Sequence, residues 1–119
     1  MRFGAFACAG FGPGEPVVRA ALHAALHVAV PGVVARAGFP SRWRTAWAVM
    51  VATTLVDLDH LLARPVYDPD RCSLGFHPLH TAPAVGAYAL LALFPRSRWV
   101  GVGLLLHMAL DGLDCWWMG

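Results

Sequence analysis

Six histidines and six aspartates stand in a 119-residue chain that is otherwise strongly apolar. All but two of them fall in four short clusters: His23-x-x-x-His27, Asp57-x-Asp59-His60, His77-x-x-His80 and His107-x-x-x-Asp111-x-x-Asp114. Each cluster lies within or beside an apolar run, where an ionisable side chain is costly unless something pairs with it. A divalent cation neutralises several carboxylates and satisfies several imidazoles at once, so metal binding is the chemistry these residues suit. Carboxylate and imidazole without thiolate favour Zn, with Mn or Fe next, over Cu(I). The three cysteines, Cys8, Cys72 and Cys115, form no C-x-x-C pair, which argues against a thiolate zinc site. The clusters hold more ligands than one tetrahedral ion needs. Two ions about 3.5–4 Å apart, bridged by an aspartate, would use them, so one or two ions are expected.

The rest of the chain must bring these clusters together. Apolar residues make up 58% and charged residues 13%, against about 45–50% and about 25% in ordinary soluble domains. A small soluble protein has too much surface to cover with so few polar groups. A lipid-facing exterior accounts for the deficit. The chain has no lysine and a formal charge of +2, which gives nucleic-acid binding no support.

Pro, Gly and Arg divide the chain into a flexible tail over residues 1–15 and four helices, at 16–37, 42–64, 79–94 and 98–118. Pro31-Gly32 interrupts the first helix, and the polar segment 65–78 is the one long connection. The helices approach the ~20 residues that cross a ~30 Å hydrocarbon layer. The expected fold is therefore all-α, a four-helix antiparallel transmembrane bundle. Arg36, Arg42, Arg44, Arg96 and Arg98 gather at the two short turns. The positive-inside rule then puts those turns in the cytoplasm and the 65–78 loop outside, with the chain in an inner (cytoplasmic) membrane. Trp43, Trp47 and Trp99 at one end and Trp116 and Trp117 at the other suit interfacial belts.

On this frame all four clusters fall in the outer half. His23 and His27 share a helix face; so do His107, Asp111 and Asp114; so do Asp57 and His60. Asp59 points away from Asp57 in a regular α-helix and reaches the site only if the helix loosens there; otherwise it meets an Arg, caps a neighbour or contacts the adjacent helix. The candidate metal ligands are His27, Asp57, Asp59, His77, His80, His107 and Asp111. Asp59 and His60 are the candidate catalytic groups, one of them left over as a general base. Arg71 and His23 are the candidates for touching an anionic substrate. The plainer roles are a helix cap for His77, an interfacial position for Asp114, and turn chemistry for Asp68 and Asp70. Cys72 and Cys115 can meet on the outer side, where an oxidising compartment would permit a disulfide.

The strings DLDHLLARPVYDPDRCSLGFHPLH and GLLLHMALDGLDC resemble a small family of uncharacterised bacterial integral membrane proteins. More distantly, the order His, D-x-D-H, paired His, H-x-x-x-D is similar to the inner-membrane-associated metal-dependent hydrolases. That resemblance implies His27, Asp57, Asp59, His80, His107 and Asp111 as a core metal site. In the broader family the second pair reads H-R-x-x-T-H; here His80-Thr81 matches it better than His77 does. Three functions are compatible with these features. The first is hydrolysis of an ester or phosphoester in a lipid or other amphiphile. The second is metal binding without catalysis. In the third, the polar groups merely bond the helices together.

Overall fold

The computed structural model describes residues 15–66 and 71–117. Most of the expected 1–15 tail, together with Asp68 and Asp70, lies outside the described residues. Within them the chain is helical and contains no strand. Helix α1 runs Glu15–Gly38, α2 Trp43–Ala52, α3 Ala82–Leu93 and α4 Arg98–Trp117. A 3-10 turn, Pro40–Arg42, leads into α2, and a second, Pro78–His80, precedes α3. The segment read as one helix over 42–64 changes character halfway: beyond Ala52 it continues as a 3-10 helix, Thr53–Leu62. Pro31 does not end α1, which continues to Gly38.

Helix α4 packs against each of the other three. Its glycines explain how. A Cβ on Gly101 would overlap the Ala92 backbone nitrogen and come within 2.6 Å of the Leu91 carbonyl carbon. A Cβ on Gly103 would sit 2.9 Å from both Met50 Cα and Thr53 Oγ1. Small residues here let α3 and the α2 segment approach α4 at backbone distance, as small residues do between helices in lipid. Gly101→Ala is therefore expected to destabilise the protein by about 1–3 kcal/mol, the usual cost of overpacking. A thermal unfolding midpoint in detergent equal to that of the parent would refute this.

Two apolar clusters complete the packing. Ala35, Ala46 and Met50 are buried at the short-turn end beneath Phe39, Trp47 and Trp99. There Trp47 Nε1 donates to the Val28 carbonyl at 2.9 Å, one residue past the His27 carbonyl, which Pro31 cannot serve as an i+4 donor. Val56, Tyr88, Leu104 and Met108 form the other cluster, nearer the histidines. Arginines sit over the tryptophans at the short turns: Arg36 lies 4.6 Å from the Trp43 ring centroid and Arg42 5.2 Å from that of Trp99.

Two segments, Val17–Gly38 and Pro40–Leu62, are long and apolar enough to cross a membrane, with mean hydropathy 1.6 and 1.2. Of the most apolar 18-residue window in each, 11% and 22% is buried within the protein. Helix α3, with 12 residues, spans about 18 Å at 1.5 Å per residue, short of the ~30 Å of a full crossing.

Cys72 and Cys115 form a disulfide, tying the loop before α3 to the last turns of α4. The bond joins residues 43 apart in sequence. Removing it by the double change Cys72→Ser and Cys115→Ser should cost about 2–4 kcal/mol of stability. An unchanged denaturation midpoint would show that the loop is held by its other contacts alone.

Candidate metal centre

The 3-10 helix decides how the D-x-D-H cluster is presented. Thr53 and Thr54 donate their hydroxyls to the Met50 and Val51 carbonyls three residues back. Such back-bonding competes with the α-helical ladder. In a 3-10 helix residues three apart eclipse, so the segment carries three separate stripes. Thr54, Asp57 and His60 line a cavity. Val56 and Asp59 are buried. Leu55, Leu58 and Leu61 face outward, 67%, 61% and 66% exposed. Asp59 is thus admitted by a tightening of the helix and not by the loosening expected from the sequence.

Asp59 then acts as a hub. Its Oδ1 accepts from His60 Nδ1 at 3.0 Å. Its Oδ2 accepts from His80 Nδ1 and from the Leu79 backbone N–H, both at 3.0 Å. In the neutral form that carries its proton on Nδ1, the His80 ring would present the Nε2 lone pair on its far side. This carboxylate–histidine arrangement commonly fixes the ring of a metal ligand.

That far side faces Asp57, His107 and Asp111. His80 Nε2 lies 3.3 Å from Asp57 Oδ1 and 3.0 Å from Asp111 Oδ2. His107 Nε2 lies 3.0 Å from Asp57 Oδ1 and 3.4 Å from Asp111 Oδ2. Four ligands at 2.0–2.1 Å around a tetrahedral ion are separated by about 3.3 Å, and these spacings scatter closely about that length. His80 Nε2 and Asp111 Oδ2 are buried and have no hydrogen-bond partner, although they are 3.0 Å apart. Unsatisfied buried polar atoms cost about 1–3 kcal/mol each. At 3.0 Å the two atoms suit an ion pair when His80 is protonated and co-ligation of one ion when it is neutral. The residues present fit a cation.

A second group adjoins the first through Asp111. Its Oδ1 lies 3.1 Å from His23 Nε2 and 3.5 Å from His27 Nε2. His27 Nδ1 donates to the His23 carbonyl at 2.8 Å, which leaves Nε2 buried and without a partner. The two oxygens of Asp111 thus serve two neighbouring groups of potential ligands. A third group, Asp57, Asp59, His60 and His80, is also tight enough for an ion. Its Asp59 contacts are hydrogen bonds, as is the His107 Nε2–Asp57 Oδ1 contact of the first group.

The fold therefore brings His27, Asp57, Asp59, His80, His107 and Asp111 together, with His23 and His60 among them. His77 falls in none of the three groups. Its buried ring stacks on His60 at 3.7 Å between centroids. Burial, reinforced by the neighbouring His60, holds its pKa below the ordinary imidazole value and keeps it neutral at pH 7. Arg71 donates to the Pro65 and Val66 carbonyls at 2.9 and 3.0 Å and lies over Phe76. It also lines the cavity of about 420 Å³ beside Asp57 and His60. Asp114 meets Arg19 at 3.4 Å. Sequence reasoning passed over Ser73, another cavity-lining residue, whose Oγ is 3.2 Å from His60 Nε2. A lone serine in a polar loop shows no spacing that marks it.

These features define an all-helical protein with a buried histidine–aspartate centre that could hold a metal ion. The chain belongs to a family of unknown function (DUF6122), whose model matches residues 17–118. No curated protein matches it, and neither does any solved structure.

Proposed function

We propose that this protein is an integral membrane metalloprotein that hydrolyses an ester or phosphoester in an amphiphilic substrate. The observation that carries the reading is the convergence of His80 Nε2, His107 Nε2, Asp57 and Asp111 at ligand spacing, with buried atoms left unsatisfied. These four residues would hold the cation, and His23 and His27 would complete a neighbouring position through Asp111. The nitrogen–oxygen, four-ligand character favours Zn. When bound, such an ion supplies Lewis acidity that polarises the bond under attack and stabilises charge developing on oxygen. Asp59 orients His80 and His60, and His60 faces the cavity as a general base. The side chain of Asp57 is 47% exposed, so the centre is open to the cavity rather than sealed as in a purely structural site.

The reading takes all four helices as embedded in the membrane, with the 65–78 loop on the outer side. The Cys72–Cys115 disulfide supports that side, because disulfides persist in oxidising compartments. The non-catalytic alternative of ion transport lacks a path: the core at the opposite end consists of Ala35, Ala46 and Met50.

The test is to purify the protein in detergent without added metal and measure transition metals per chain. The metal-loaded protein is then screened against phosphoesters and lipid esters. Stoichiometric metal with turnover supports the proposal. Stoichiometric metal without turnover leaves a metal-binding module, and absence of metal overturns the reading.

A further inference from the structure

A second chemical constellation stands beside the proposed ligands. Ser73 Oγ lies 3.2 Å from His60 Nε2. On the other side of the same ring, Nδ1 lies 3.0 Å from Asp59 Oδ1 and 3.6 Å from Asp57 Oδ1. Asp59 is buried, and its other oxygen is held by His80 and the Leu79 N–H. The order hydroxyl, Nε2, Nδ1, buried carboxylate is that of a nucleophilic serine with its base and its orienting acid. Such a triad is recognised by geometry and roles, not by fold or chain order. Asp59 accepts the Nδ1 proton, which leaves Nε2 free to take the proton of Ser73.

The surroundings hold the serine still. Cys72, the preceding residue, is disulfide-bonded to α4. The Ser73 carbonyl accepts the backbone N–H groups of Phe76 and His77, both at 3.2 Å. That turn depends on Gly75, at φ +77°, a backbone region that other residues rarely adopt. His77 stacks on His60 and fixes the plane of the base.

We infer that Ser73 is a catalytic nucleophile, with His60 as its general base and Asp59 as the positioning residue, acting on carboxylic esters of amphiphiles. This inference rests on the hydrolase reading and names its attacking atom and substrate class. Ser73 Oγ gives its proton to His60 Nε2 and bonds to the acyl carbon. The alcohol leaves with the proton that His60 returns. Water, deprotonated by His60, then cleaves the seryl ester, releasing the carboxylic acid and restoring Ser73. The sum is ester plus water giving acid plus alcohol. The cavity of about 420 Å³ lies near the small end of ligand pockets, roughly 300–1,000 Å³. It is large enough for the polar end of an amphiphile. Leu55, Leu58 and Leu61 border this cavity and are exposed, so they offer the chain an apolar track.

The test uses the full-length protein in detergent and a long-chain alkyl fluorophosphonate. Ser73 Oγ bonds to phosphorus, the P–F bond breaks, and the proton leaves with fluoride. The expected result is one adduct per chain, located on Ser73 by peptide mass spectrometry. It should be absent in Ser73→Ala and form at least ~100-fold more slowly in His60→Gln, the lower range for loss of a general base. Metal content and unfolding midpoint should stay at parental values in Ser73→Ala. Ester turnover without an adduct on Ser73 overturns this inference and leaves the hydrolase reading standing. An adduct on Ser73 without turnover of any ester supports the nucleophile and overturns hydrolysis as the function. Neither adduct nor turnover overturns both.

Discussion

Asp111→Asn is expected to empty the metal centre. The carboxylate lies against four imidazoles: His80 and His107 face Oδ2 at 3.0 and 3.4 Å, and His23 and His27 face Oδ1 at 3.1 and 3.5 Å. An amide keeps the shape but removes the negative charge, and its nitrogen cannot donate a lone pair to an ion. Loss of a residue that merely orients a ligand costs 10–100-fold in metal affinity. Loss of a ligand shared by two groups should cost more, at least ~100-fold for the tighter ion. The measurement is metal per chain after dialysis against a graded chelator series. Retention of parental stoichiometry by Asp111→Asn would place the ion away from Asp111, and absence of metal from the parent itself would leave the purely structural reading.

The second large effect is expected from Asp59→Asn, which lies outside the four residues proposed to hold the cation but hydrogen-bonds one of them, His80. Asp59 fixes the tautomer of both His60 and His80 by accepting from each Nδ1. An Asn oxygen can accept on one side only, so one of the two rings loses its partner or flips. Metal affinity should fall about 10–100-fold through His80. Ester turnover should fall further than affinity, because His60 also loses its orientation. Comparing turnover at saturating metal separates the two contributions: a defect fully rescued by excess metal would assign Asp59 to His80 alone.

Much of this architecture is legible in the chain. The apolar composition, the Pro and Gly interruptions and the heptad-like spacing of His107, Asp111 and Asp114 follow from short-range rules, and the helices fall within a few residues of the expected bounds. The His80-Thr81 match also points to the histidine that enters the four-residue group, whereas His77 becomes its neighbour's stacking partner. The second helix was legible as a span but not as two helix types. Thr53 and Thr54 carry the back-bonding that accompanies the change, yet threonine pairs occur in ordinary helices too. The full membrane crossing expected of helix three is not met by the 12 residues of α3. Thr81 is extended, φ −93° and ψ 164°, and detaches the Pro78–His80 turn from the helix.

Taken alone, the sequence established which side chains must be neutralised, because burying imidazole and carboxylate in so apolar a chain is costly however it folds. It also established that helices carry them, since periodicity is a local property. Which nitrogen of each ring faces the centre, which aspartate orients and which one is shared, and that Ser73 meets His60 were decided only by the tertiary structure. Those relations join residues 13 to 50 positions apart, and they depend on α4 lying close enough, through Gly101 and Gly103, for the chains to touch. Local spacing carries no record of such distances.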